Sequence, residues 1–306
     1  MDYLYLIAGL VGLFFGGEAL VRGSVGIARR MAIPPLLIGL TVVGFGTSTP
    51  ELLVSVDAAW RGVPDISLGN IVGSNIANIL LIIGLSALVW PIKVMGATLR
   101  RDTAVMMAAA LVLVPIFAMA QMGRAAGLLL VTGLVAYLVW VYRQPGAMEI
   151  EDVGVPAPAS ALVSALWVIG GLVALMVGAR FLVNGAVNIA RGYGISEAFI
   201  GLTIVAVGTS LPELATSLIA AFRRQSEIAI GNIVGSNIFN VLGILGMTAL
   251  IAPIPVASRF LTFDLPLMIA VSLVLTALLL TRPVIGRGIG VAMLAGYVAY
   301  VWAAQG

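Results

Sequence analysis

Residues 39–60, GLTVVGFGTSTPELLVSVDAAW, and residues 69–84, GNIVGSNIANILLIIG, return further along the chain as 201–222, GLTIVAVGTSLPELATSLIAAF, and 231–246, GNIVGSNIFNVLGILG. Aligned without a gap at an offset of 162, the windows 39–91 and 201–253 share 30 of 53 residues. Polar residues repeat along with the apolar ones: Thr47, Ser48, Glu51, Ser74 and Asn78 reappear as Thr209, Ser210, Glu213, Ser236 and Asn240. Oxygen-bearing side chains duplicated inside two apolar halves are what a cation site at a repeat interface requires.

The surrounding composition places those halves in a bilayer. The chain is 61% hydrophobic and 9% charged, with a mean hydropathy of +1.15. A soluble domain carries about 25% charged residues. Apolar runs of about 20 residues recur along its length, the signature of spanning helices. Ten spans are predicted, near 3–28, 35–60, 66–90, 102–120, 125–142, 161–189, 197–222, 227–250, 263–281 and 288–304. The first continues from Asp2 without a basic leader and reads as a retained span rather than a cleaved signal.

Five spans per half is an odd number, so the second half enters the membrane from the other side and the repeats are inverted. The expected fold is an all-α integral membrane protein of two inverted five-helix repeats, 1–142 and 161–306. A linker, 143–160, joins them, and helices 2, 3, 7 and 8 are broken. The match extends beyond the core: Gly23 pairs with Gly185 and Asp102 with Asp264, while Gly123-Arg124 returns one residue out of step as Gly286-Arg287.

With the N-terminus outside, the inner loops hold ten Arg and Lys residues and the outer loops four. That bias predicts both termini outside, in the plasma membrane, with the linker in the cytoplasm. The net charge of +3 is then a topology signal, and no basic-aromatic patch suggests nucleic acid. The linker's Glu149, Glu151 and Asp152 read as a solvated acidic stretch. The chain lacks Cys and His, so disulfides and thiolate metal sites are excluded, and any proton coupling would run through carboxylates.

A charged residue at the centre of a spanning helix costs about 2.5–3.5 kcal/mol on insertion scales. Glu51 and Glu213 fall just past the middles of spans two and seven. Each follows a threonine by four residues and a serine by three, the spacing of one helical face. Ser74 and Asn78, like Ser236 and Asn240, are four apart. The set offers only oxygen, which suits hard cations such as Na⁺ and Ca²⁺. Pro50 and Pro212 cannot donate to the carbonyls of Gly46 and Gly208, so those carbonyls are expected to be free and to line a cavity.

The doubled GTSTPE and GTSLPE, each followed by GNIVGSNI, resemble the alpha repeats of the cation/calcium exchanger superfamily, in particular its sodium/calcium exchanger branch. The resemblance covers essentially the whole chain. It implies an antiporter that exchanges Ca²⁺ for Na⁺ by alternating access, not an enzyme, with the two ions as substrates and no cofactor. Cations would bind midway through the bilayer between helices 2, 3, 7 and 8, while helices 1 and 6 slide past. Carried over, Glu51 and Glu213 are the shared carboxylates. Thr47, Ser48, Thr209 and Ser210 supply hydroxyl or backbone oxygens, and Ser74 and Ser236 complete flanking Na⁺ sites. Ala206, matched by Gly44, offers a backbone carbonyl, and Asn78 and Asn240 are the amide ligands.

Several relatives carry aspartate where this chain has Asn240, so the pocket holds two carboxylates, enough to balance one Ca²⁺. The proton-coupled branch has a GNxTE-like sequence where this chain has GTSxPE, which favours Na⁺ over H⁺ as the driving ion. A Ca²⁺/H⁺ antiporter is the alternative and a cation channel a more distant one. An intramembrane aspartyl protease lacks support, because the acids are glutamates and no GxGD-like sequence is present. The expected partners are the two ions and the lipid bilayer, with no nucleic acid; the sequence does not set the oligomeric state, and action as a monomer is compatible with it.

Elsewhere, Glu18 and Arg22 read as an i, i+4 ion pair. Asp57 is expected at a helix end or pore mouth, and Asp102 and Asp264 at the starts of their helices. Gly12 and Gly16 suit either a close-packing or a sliding face. Asn70 and Asn232 are expected to cap unwound backbone.

Overall fold

The computed structural model describes residues 2–31, 33, 35–94, 97–143, 160–194 and 206–304. Among them the chain is almost wholly helical. The long helices are α1 (Asp2–Met31), α2 (Leu36–Thr47), α3 (Thr49–Trp60), α4 (Pro64–Val89), α5 (Leu99–Ala118), α6 (Arg124–Arg143) and α7 (Ala161–Gly192). They continue with α8 (Leu211–Phe222), α9 (Ser226–Ile251), α10 (Phe260–Thr281) and α11 (Arg287–Ala304).

Eight of these are long and apolar enough to cross a membrane, and a ninth span arises if the bent pair α2–α3 counts as one. The expected seventh span, 197–222, is described only from Ala206, and the linker only at its two ends. The chain is a multi-pass membrane protein. Its outward faces carry residues such as Leu10, Phe15, Leu162 and Ile169, which need no water to satisfy them.

The break in span two is real and has a simple cause. α2 and α3 meet at Ser48 with a 43° bend, and Pro50 sits in the first turn of α3. There the missing N–H would have had no intrahelical partner anyway. Pro212 occupies the same place in α8. The prolines therefore start new helices rather than kink old ones. Gly46 is a correction: a backbone N–H at the end of α2 bonds to its carbonyl, as helix ends do when the last turn tightens.

α4 and α9 also depart from expectation. They run through as single helices, with π-helical stretches at Asn78–Ile83 and Phe239–Leu245 in place of breaks. No proline lies inside either, so no donor is lost; the extra residue is absorbed by widening the turn.

α1 and α7 lie antiparallel along a glycine seam. A Cβ on Gly171 would stand 2.6 Å from the backbone nitrogen of Leu20, and one on Gly16 2.8 Å from that of Leu175. Only glycine permits that approach, so the glycines of α1 serve close packing against α7. The enclosed centre is α4 and α9, the most buried of the long helices. α2 lies against α9, where Gly39 meets Gly231 and Gly44 meets the backbone of Ser236.

Four two-residue strands tie the loops: β1 (Ile92–Lys93) pairs antiparallel with β4 (Val284–Ile285), and β2 (Gln121–Met122) with β3 (Ile254–Pro255). β1 and β3 sit 162 apart in sequence and β2 and β4 sit 163 apart, so the two pairs are repeat mates at opposite ends of the bundle.

Candidate ion-binding site

Glu51 lies in the first turn of α3 and Glu213 in the first turn of α8. A helix N-terminus carries partial positive charge, which stabilises a carboxylate placed there. Both glutamates are about 1% exposed, so this local help matters.

The hydroxyls do not serve the glutamate of their own half. Ser48 Oγ donates to Glu213 Oε1 at 2.8 Å, and Ser210 Oγ donates to Glu51 Oε1 at 3.1 Å. The reading of Thr47, Ser48 and Glu51 as one helical face fails because the helix is interrupted at Ser48. The interruption frees the serine to cross to the other repeat. Each carboxylate keeps its second oxygen, Oε2, buried without a hydrogen-bond partner.

Behind them stand Asn70 and Asn232, in a reciprocal arrangement. Asn70 Nδ2 donates to the Glu51 carbonyl (3.1 Å) and Ser55 Oγ (2.9 Å), and its Oδ1 accepts from Thr209 Oγ1 (3.3 Å). Asn232 Nδ2 donates to the Glu213 carbonyl (3.2 Å) and Ser217 Oγ (2.9 Å), and its Oδ1 accepts from Thr47 Oγ1 (3.1 Å). These asparagines hold the backbone under the glutamates, as expected of them. Ser236 Oγ donates to the Gly44 carbonyl at 3.1 Å. Ala206 opens the single turn Ala206–Gly208 just before the Ser210 cap.

Asn78 and Asn240 both lie in the π stretches and are buried, each with an unpartnered Oδ1. α3 packs on the stretch bearing Asn240, and α8 on the stretch bearing Asn78. Four buried acceptor oxygens without donors, two of them charged, thus come from four neighbouring elements. Such groups are costly unless a cation supplies the missing interaction. No cluster of three or more His, Cys, Asp or Glu forms among the described residues. Carboxylate, amide and hydroxyl oxygens are the donor types that hard cations take. Ser74 is buried and lines a cavity of about 530 Å³ that also touches Asn70, Thr209 and Val54.

The family described as sodium/calcium exchanger protein matches residues 1–143 and 163–305. The chain belongs to that family. It is thus an ion exchanger rather than an enzyme, with its ions as substrates and no cofactor. It is 41% identical over 257 residues to "Putative antiporter CaxA" of Alkalimonas amylolytica, covering 82% of this chain and 81% of that protein. It is 32% identical to "Sodium/calcium exchanger MaX1" of Methanosarcina acetivorans, covering 98% of this chain and 97% of that one. The structure of the sodium-calcium exchanger NCX_Mj soaked with Na⁺ and Sr²⁺ superposes with a TM-score of 0.86 at 33% identity. It covers 98% of this chain and 97% of that one. The exchanger family fits what the fold presents: buried oxygens without partners on elements from both repeats.

Of four expectations outside the site, those for Glu18 and for Asp57, in the last turn of α3, hold, and those for Asp102 and Asp264 do not. Glu18 pairs with Arg22 as predicted, but it also takes two bonds from Arg223, at 2.9 and 2.6 Å. Asp57 pairs with Arg61 on an exposed surface. Asp102 and Asp264 do not open their helices: they sit about one turn inside, paired with Arg101 at 2.7 Å and Arg259 at 3.2 Å. What the sequence reading missed at the site is Asn75 and Asn237. Their only signal was recurrence within GSN beside the chosen serines.

Proposed function

We propose that the chain exchanges Ca²⁺ for Na⁺ across the plasma membrane by alternating access. Its binding residues are Glu51, Glu213, Thr47, Ser48, Thr209, Ser210, Ser74, Ser236, Asn78, Asn240 and the carbonyls of Gly44 and Ala206. The observation that carries this reading is the crossed pair of bonds, Ser48 to Glu213 and Ser210 to Glu51. It leaves one free buried oxygen on each glutamate.

Two carboxylates balance one Ca²⁺, and Na⁺ ions sharing the same oxygens compete with it. Emptied, the pair is too costly to carry across an apolar barrier bare, which holds the unloaded carrier back. Either cargo neutralises it and permits the crossing. In this reading residues 1–142 and 161–306 are the inverted halves, 143–160 the cytoplasmic linker, and both termini lie outside. The GTSxPE sequence around each glutamate supports Na⁺ as the coupling ion.

The test is radioactive Ca²⁺ uptake into proteoliposomes under an outward Na⁺ gradient, an outward H⁺ gradient, or none. Uptake with Na⁺ alone is expected. Uptake with H⁺ alone would move the coupling to protons, and conductance without a coupled gradient would make the protein a channel.

A further inference from the structure

Asn75 has no place in the ion site as drawn, yet it is 2% exposed and neither its Oδ1 nor its Nδ2 has a hydrogen-bond partner. A purely structural amide at that depth would be satisfied, because an unbonded amide gives up its water for nothing. Its repeat mate, Asn237, shows what the position does when bonded. Asn78 Nδ2 donates to Asn237 Oδ1 at 3.0 Å, and Asn237 Nδ2 rests on Met106 Sδ at 3.7 Å. That contact grips the nitrogen end of Asn78 and leaves its Oδ1 unpartnered.

Every member of the set has a counterpart at the same offset: Asn237 with Asn75, Asn78 with Asn240, and Met106 with Met268. Met268 is as buried as its mate. The packing is duplicated too. The part of α9 carrying Asn237 lies on the π stretch of Asn78, and the part of α4 carrying Asn75 lies on the π stretch of Asn240. One amide pair is made in this structure and its mate is not.

We propose that Asn237 and Asn75 are positioning residues, each holding the ligand asparagine of the opposite half by its Nδ2 so that the carbonyl oxygen is presented to the cation. This rests on Asn78 and Asn240 being ion ligands. A cation drawing on Asn240 Oδ1 polarises the amide and makes its Nδ2 a stronger donor. The unmade contact from Asn240 to Asn75 Oδ1 therefore closes on loading, and that oxygen gains the donor it lacks. The two halves thus differ in readiness: the Asn78 oxygen is pre-aimed, and the Asn240 oxygen is aimed by the ion.

The experiment is Na⁺-driven Ca²⁺ uptake by the full chain in proteoliposomes, with KM and maximal rate resolved for Asn75→Leu, Asn237→Leu and the milder Asn75→Ala and Asn237→Ala. Each is expected to raise the Ca²⁺ KM about tenfold, the scale of one buried hydrogen bond, with the maximal rate little changed. Asn75→Leu is expected to add nothing to Asn240→Ala, nor Asn237→Leu to Asn78→Ala, as for residues acting through one contact. Unchanged KM in the alanine variants, or effects that simply add, would overturn the assignment. Glu51→Gln runs alongside: if it exchanges normally the ion site itself is misplaced, whereas if it is inactive and Asn75→Ala binds normally, only the positioning role falls.

Discussion

α8 and α3 are repeat mates that share 6 of 12 residues, and their surroundings differ. α1 lies along α8, with Gly17 close enough that a Cβ there would stand 3.0 Å from Ile219 Cγ1. Thr216 is fully enclosed, and Glu18 of α1 is clamped to Arg223 at the end of α8. Among the described residues, α3 has no matching glycine contact or end clamp. Leu53 and Val54, the mates of Ala215 and Thr216, are exposed, and Val54 lines the cavity that reaches Ser74. The contacts differ where the two sequences do: Ile219 stands where α3 has Asp57, and Ala215 and Thr216 where α3 has Leu53 and Val54, so α1 meets an apolar face on α8 that α3 does not repeat. In the proposed alternating exchange, the α3 side would be the open one and the α8 side the shut one.

The comparison can be broken first at the glutamates. Because each is held by the serine of the other half, Glu51→Gln and Glu213→Gln are both expected to abolish Ca²⁺ uptake. An active variant on one side only would show that the halves are not equivalent at the site. Next, Gly17→Val pushes α1 away from Ile219. Overpacking costs about 1–3 kcal/mol, and the expected outcome is a lower melting temperature with a slower exchange rate.

The chain has no cysteine, so single cysteines report cleanly. Val54→Cys is expected to react with a membrane-impermeant thiol reagent at least about tenfold faster than Thr216→Cys, as access to a thiol controls its reactivity. Adding Gly17→Val should narrow that ratio, and equal rates in the parent would erase the asymmetry. The sidedness of the Val54→Cys reaction also fixes which end faces out. The smallest effect belongs to Glu18→Gln. Arg223 is more than a third exposed, so screening limits the loss to below about 1 kcal/mol. The variant is expected to exchange ions with only a slightly raised Thr216→Cys labelling rate.

Much of this was legible because duplication makes polar residues conspicuous: Glu51, Ser48, Asn78 and their mates stood out against an apolar background. Pro50 marked where span two breaks. What one strand of sequence could not show was partnership. Serine three residues before glutamate suggests a contact along one helix, but the actual contact crosses to a residue 165 positions away. Glu18 and Arg22 looked self-sufficient because the third member, Arg223, is 205 positions distant. The π stretches left no mark either, since NILLII and FNVLGIL are ordinary helix-compatible runs. The extra residue per turn is imposed by packing, not by composition.

The crossed serine–glutamate bonds also bear on ancestry. A half-length polypeptide of this kind would own a buried carboxylate and a serine that cannot reach it. Only beside a second copy, inserted upside down, would either side chain find its complement. A single-repeat ancestor with this chemistry would have had to enter the membrane in both orientations and meet itself there. A single chain that carries both copies fixes their ratio at one to one and keeps each serine beside the glutamate it serves.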